Sequence, residues 1–225
     1  MPSTRSQPPL NRAQVLANAV DLADAEGIDA VSMRALASRL GVVPMAIYKH
    51  VADKQDLTSG MIDVVVASYG VVSEGGGWQE SVRERVLVAR HALARHPWLR
   101  QAIEAASTPT PTVLAHMNAI AGSFVDGRFS YDLTHHAMHA LGHRIWGFSP
   151  EAFSATPPRP EAPVDEAVAQ AMAERFPHIA AIAQAAASSN PSGGCDEDDE
   201  FAFTLDLLLD GFQRLHDAGW HPGAA

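Results

Sequence analysis

The chain is short of cysteine and lysine: among 225 residues there is one cysteine, Cys195, and two lysines, Lys49 and Lys54. A lone thiol closes no internal disulfide and builds no multi-cysteine metal site, so a disulfide scaffold and a cysteine-based zinc module are both excluded. No apolar run approaches the roughly 18 to 20 residues of a spanning helix, which predicts a soluble chain with no membrane partner. The first ten residues, MPSTRSQPPL, hold one arginine and no apolar stretch of a secretory leader, so the expected compartment is the cytoplasm. A P-loop, a nucleophile elbow and a dinucleotide fingerprint are all missing, and neither catalysis nor a cofactor is expected. Sustained apolar/polar alternation is missing as well, which argues against strands.

What the chain does hold is apolar residues at three- and four-residue spacing almost throughout, and the fold class this predicts is all-α. At 24.0 kDa and 47% hydrophobic residues it can bury a substantial core without staples. The net charge of −10 argues at first against nucleic acid, since affinity for DNA rests on neutralising phosphates. Its distribution reverses that. Residues 1–56 carry six basic and six acidic side chains, whereas residues 57–225 carry ten and twenty. Arg34, Arg39, Lys49 and Lys54 against Asp53 make the stretch 31–54 locally +3, a basic face on an acidic body.

Helix punctuation is explicit. Asn11 caps a first helix with Gln14 three residues on, and Val15, Leu16, Ala19, Leu22 and Ala23 form its inward stripe up to Gly27. Ser32 caps a second helix with Leu36, Ala37 and Leu40 inward, and Gly41 ends it. Pro44 opens a third, short helix with Ile47 and Val51 as its inward pair. Asp53 caps a fourth over about 54–72, with Leu57, Met61, Val64, Val65 and Ser68 on one side. After Gly75, Gly76 and Gly77, helices are expected near 78–95, 97–106, 111–126 and 131–147. Residues 149–163, with five prolines, read as an exposed connection; a weaker helix covers 164–187 despite Pro177. A mobile acidic loop then leads to a strong last helix over 197–218, with Phe201, Leu205, Leu208, Leu209, Phe212 and Leu215 on its apolar face. The predicted division is a smaller helical unit at 1–56 and a larger one at 57–225.

Two short helices joined by a glycine turn, with a small residue four positions before that glycine, match a helix-turn-helix whose second helix enters the major groove. With Leu36, Leu40 and Ile47 burying the crossing, Met45, Ala46, Lys49 and His50 face outward. Lys49 then reaches a guanine edge or a phosphate, Met45 and Ala46 touch thymine methyls, and Pro44 stiffens the entry. Tyr48, His50 and Lys54 are expected to hold phosphates, as are Ser32 and Arg34 at the start of the preceding helix, with Arg34 also within range of a base. The stretch SMRALASRLGVVPMAIYKHVADKQDL resembles the DNA-binding domain of the TetR family. The match includes Arg34, Leu36, Ala37, Leu40, Gly41, Val42, Ile47, Tyr48, His50, Val51 and Lys54. HPWL at 96–99, FPHI at 176–179 and FAFTLDLLLDGF at 201–212 are similar to tetracycline-repressor-type C-terminal domains. The resemblance implies a homodimer on a palindromic double-stranded DNA operator, a ligand cavity in each larger domain, and repression relieved by a small-molecule inducer. The expected dimer helices are 131–147 and 197–218. The residues of the recognition helix are ones that vary within the family, and the tetracycline-chelating residues have no match here.

Trp98, Met117, Phe124, His135, His139 and Trp146 are the expected lining of that cavity, as apolar walls with a few polar groups suit a small molecule; core packing is the alternative for each. His135, His139 and His143 fall at successive i, i+4 steps, a spacing at which imidazoles can share a metal. No carboxylate stands beside the pair as in H-E-x-x-H, so pocket polarity or packing at a dimer seam is expected and no metal is assigned. The rival from another class is a helical-bundle carrier or enzyme using this histidine-rich helix.

Overall fold

A computed structural model of the chain describes residues 9–70, 76–146, 166–189 and 197–223, and among them eleven α-helices and no strand. Asn11 closes a reciprocal capping box on α1 (Arg12–Glu26): its side chain accepts the Gln14 N–H at 2.9 Å, and Gln14 Oε1 accepts the Asn11 N–H at 3.0 Å. A 3-10 turn over Ile28–Ala30, unanticipated in the sequence, leads into α2 (Met33–Leu40), where Ser32 Oγ accepts the Ala35 N–H. Gly41 ends α2 in the left-handed region (φ 66°, ψ 31°). There the Val42 N–H donates to the Ala37 carbonyl and the Gly41 N–H to the Ser38 carbonyl, the paired bonds of a Schellman stop. α3 (Pro44–Tyr48) follows with proline in its first turn, and Asp53 caps α4 (Lys54–Ala67).

These four helices bury one cluster that includes Val15, Leu36, Ile47, Val51, Leu57 and Met61, continuous with Trp98 and Leu99. Each such side chain contributes roughly 1.5–3 kcal/mol of transfer free energy. α4 touches α1, α6 and α7, so its buried face is wider than one stripe: Ile62 and Val66 are buried alongside Leu57, Met61 and Val65. Val64 and Ser68, expected inward, are exposed. Gly60 lets α1 come close, because a Cβ there would stand 2.7 Å from Leu16 Cδ2. α4 stops at Ala67, short of the expected 72; tight bonds from the Ser68 and Tyr69 N–H groups to Val65 and Val66 end it ahead of Gly70 at φ 75°.

α5 (Trp78–Arg95) packs on α7 (Pro111–Asp126) and α8 (Tyr131–Trp146), and α6 (Trp98–Ala105) packs on α4 and α5. Trp78, Phe124 and Phe129 make an aromatic corner with ring centroids 4.5–5.3 Å apart. Residues 1–146 with 218–225 form one compact unit, and 147–217 form a second. In the second, the single helix expected over 164–187 is two, α9 (Glu166–Arg175) and α10 (Pro177–Ser189), packed on each other. Pro177 cannot donate to an α9 carbonyl and instead opens α10. α11 (Glu197–Asp217) buries Phe201, Leu205, Leu209 and Phe212, leaves Leu215 exposed, and begins with exposed Asp198, Asp199 and Glu200. The expected connection at 149–163 and Cys195 lie outside the described residues.

The Gly41 turn is the cheapest place to perturb this head. A Cβ there meets nothing within 4 Å, so Gly41→Ala carries backbone strain alone. Its expected cost is about 1 kcal/mol, and that of Gly41→Asn less, because asparagine tolerates the left-handed region. Urea midpoints of the two variants check this.

Candidate nucleic-acid interface and ligand cavity

With Ile47 wholly buried beneath it, α3 turns its other faces to solvent: Met45 is 69% exposed and Tyr48 48%. Pro44 and Lys49 are exposed, and Ala46 and His50 are half-buried. Ser32 and Arg34 at the start of α2, and Lys54 at the start of α4, are exposed too. Ser32 Oγ is taken as acceptor by its capping bond, which leaves its hydroxyl hydrogen to donate to a phosphate. Among the described residues, Arg34, Arg39, Lys49 and Lys54 are paired with no carboxylate. Their charge is therefore available to an anionic partner.

The end of α3 is held by a contact that sequence reasoning missed. Arg12 on α1 donates from Nη1 to the His50 carbonyl (2.7 Å) and grips the Asp56 carboxylate with both terminal nitrogens (2.6 and 3.0 Å). Asp56 Oδ2 also accepts the Ala52 N–H at 2.8 Å. The hydrogen bonds from Arg12 and from the Ala52 N–H hold the Asp56 carboxyl below the usual carboxylate range, and the carboxylate raises the Arg12 guanidinium in turn. Local sequence signals only that Asp56 stands in the first turn of α4; its partner is 44 positions away.

A cavity of about 280 Å³ opens among α4, α5, α6, α7 and α8. Ser59, Ile62, Val66 and Tyr69 of α4 and its following turn form one wall, with Val113, His116, Met117 and Ile120 of α7 and Met138, Leu141 and Ile145 of α8 among the others. Thr110, on the rim of α7, donates its hydroxyl to Asp63 of α4 and accepts the Val113 N–H, pinning α7 to α4. Burial pushes the Tyr69 hydroxyl up to about 12. Burial, and then the charge of Arg85, push the His116 imidazole below its usual value.

Of the six residues expected to line a cavity, Met117 is in this wall. Trp98 is buried elsewhere: its Nε1 donates to Asp24 Oδ1 (2.6 Å), which also meets His96 Nδ1 (2.8 Å), joining the end of α1 to the α5–α6 corner. Phe124 belongs to the aromatic corner. His135 and His139 are exposed with rings 4.6 Å apart, because Leu133, Ala137 and Leu141 take the inward positions of α8. The side chains of Trp146 and His143 lie outside the described set. Among the described residues no three His, Cys, Asp or Glu side chains are grouped to hold a metal, and no helix is long and apolar enough to cross a membrane. Tyr69 and His116, the polar rings of the cavity, were not anticipated; one stands in the turn after α4 and the other on α7, and the packing of those segments decides what each meets.

A helix-turn-helix with its second helix exposed, followed by helices around a cavity, places the chain in the class of helix-turn-helix proteins. The chain belongs to the tetR family of bacterial regulatory proteins: residues 15–60 match that family's model, and residues 72–215 match the tetracyclin repressor-like C-terminal domain. It is 35% identical over 124 residues to the transcriptional repressor DrrR1 of Streptomyces coeruleorubidus, covering 53% of this chain and 45% of that one. It is 32% identical over 90 residues to the class D tetracycline repressor of Escherichia coli, covering 39% and 41%. The chain thus spans about half the length of the curated relatives it matches. A solved TetR regulator from Streptomyces coelicolor superposes with TM-score 0.72 at 26% identity, over 92% of this chain and all of that one.

The depressed Asp56 carboxyl makes a small part of the stability depend on pH. Its contribution is complete above the unfolded value of about 3.9 and is lost as pH falls through the lower folded value. Urea midpoints between pH 6 and 2.5 are expected to fall less steeply in Arg12→Met than in the parent; equal slopes would refute the clamp.

Proposed function

We propose that this chain is a ligand-responsive transcriptional repressor that binds an approximately palindromic operator as a homodimer and is released by a small-molecule inducer. Residues 1–56 read the DNA, and residues 57–225 dimerise and sense. The observation that carries this reading is the surface of α3: Met45, Tyr48 and Lys49 stand exposed over a wholly buried Ile47, and among the described residues no carboxylate engages Lys49, Arg34, Arg39 or Lys54. In this assignment α3 lies in the major groove with Lys49 at a guanine edge or phosphate, and Met45 and Ala46 at thymine methyls behind Pro44. Ser32, Arg34, Tyr48, His50 and Lys54 hold the backbone, and Arg34 also extends to a base. Two heads meet half-sites roughly 34–36 Å apart, or a multiple of that distance. Support for a twofold mate is the exposed apolar surface of α11 at Phe203 and Leu207 and, separately, the exposed Tyr131, His135 and His139 of α8.

Release follows from the course of α4. Its first turn carries Asp56, bound to Arg12 beside the end of α3, and its later turns carry Ile62 and Val66 of the cavity wall. A ligand that favours one position of α4 therefore changes the separation or tilt of the heads without touching a base. Such a protein works by differential affinity rather than catalysis, and in the cytoplasm. Linkage then requires operator to weaken inducer binding by the same factor by which inducer weakens operator binding.

Gel retardation of the chain's own upstream DNA at several salt concentrations is expected to show specific binding that weakens steeply with salt; a carrier or enzyme would show none. Lys49→Ala is expected to relax sequence choice. Lys54→Ala is expected to weaken all DNA alike and to reduce the salt slope by about 1. Identical specificity profiles for the two would overturn the assignment of α3.

A further inference from the structure

The cavity wall narrows what such a regulator senses. It is built mainly of aliphatic side chains such as Ile62, Val66, Val113, Ile120 and Leu141, and among the described residues no Asp, Glu, Lys or Arg lines it. Its polar groups are few. Thr110 is committed to Asp63 and to the Val113 N–H. Tyr69 and His116 meet edge to face with ring centroids 4.9 Å apart, both line the cavity, and neither has a hydrogen-bond partner among the described residues. Ser59 and Thr108 also line the cavity. Paired polar rings in a mainly aliphatic wall fix the orientation of a small molecule, while the rest of the wall accepts apolar surface.

We propose that the cavity takes an uncharged, predominantly apolar ring compound with one hydrogen-bonding oxygen or nitrogen, received by the Tyr69 hydroxyl and the His116 imidazole, an inference that rests on the regulator reading above. A charged ligand would leave water for a wall whose described residues offer no counter-charge. A phenol is already neutral at pH 7, and burial pushes Tyr69 further up to about 12 and the His116 imidazole below its usual value, which disfavours charge on either group. The volume of about 280 Å³ suits a compound of two or three fused or linked rings, near the lower end of the roughly 300–1,000 Å³ typical of ligand pockets. The rival is an acidic ligand drawn by Arg85, whose charge acts on His116 and whose Nε is buried without a partner. Arg85 itself does not line the cavity.

A matched pair of fluorescent probes separates the two. N-phenyl-1-naphthylamine is neutral, and 1-anilinonaphthalene-8-sulfonate has the same rings with an added anionic group. Titrated into the full chain at pH 7, the neutral probe is expected to bind at one site per chain with blue-shifted emission, and the sulfonate at least tenfold more weakly. Val113→Phe, which fills the cavity, is expected to weaken the neutral probe at least tenfold. Met138→Phe serves as a second filled variant, and thermal melts show whether each is folded. Tyr69→Phe is expected to weaken it about threefold. Equal or tighter binding of the sulfonate would overturn the proposal in favour of an acid, as would neutral-probe binding that survives in a folded filled variant. DNA retardation measured in parallel keeps the two readings apart. Intact retardation with no probe binding removes the ligand class alone. Probe binding in a chain that retards no DNA supports the ligand class and removes the regulator.

Discussion

The exposed α3 side of this molecule depends on one carboxylate. Asp56 accepts both terminal nitrogens of Arg12 and the Ala52 N–H, and its own N–H donates to Asp53. Arg12 also donates to the His50 carbonyl, so the start of α1, the chain leaving α3 and the first turn of α4 meet at a single ion pair. The pair is partly exposed, with side-chain exposures of 44% and 34%, and a solitary pair of this kind contributes little to stability. Its importance is geometric. A bidentate fork admits few orientations, and α3 is too short at five residues to hold its own direction.

α4 extends that constraint toward the cavity. Two turns beyond Asp56 the same helix presents Ile62 and, a turn later, Val66 to the cavity, and between them Asp63 fastens the start of α7 through Thr110. A second tie, from Asp24 to His96 and Trp98, joins the far end of α1 to the α5–α6 corner. Gln55 at the start of α4 also donates to Ser107, just after α6. The head is thus linked to the cavity-forming helices by polar contacts and by the shared apolar cluster. α4 thus runs from the cavity wall to the Asp56–Arg12 pair, and Arg12 in turn holds the end of α3, which is the physical content of the proposed release.

Much of the head was legible in the residues because its signals are local. The Asn11 capping box, the Ser32 and Asp53 caps and the Gly41 stop each lie within six residues of the groups they satisfy. The exposure of Met45 and Lys49 follows once Ile47 is inward, by helical period alone. The cavity was less legible. Tryptophan, phenylalanine and histidine stood out by type, yet Trp98 found a carboxylate, Phe124 an aromatic corner, and His135 and His139 solvent. Apolar side chains on a helix look alike in sequence whether they face a neighbour or a void. The arginine–carboxylate clamp was invisible for another reason: its partners are 44 residues apart, and no local pattern marks either one.

By itself, then, the order of residues determined the helical class, the helix starts and stops of the head, the glycine turn, and which side of α3 is apolar, since each rests on contacts within a turn or two of the chain. Where that pattern was weak it misled, as at α4, which ends at Ala67, and at Pro177, which opens a separate helix. The tertiary structure alone decided that Arg12 meets Asp56, that Tyr69 meets His116, and that a mainly aliphatic cavity stands among α4, α7 and α8. These are distances between segments far apart in sequence, settled by how whole helices pack rather than by what any one of them prefers.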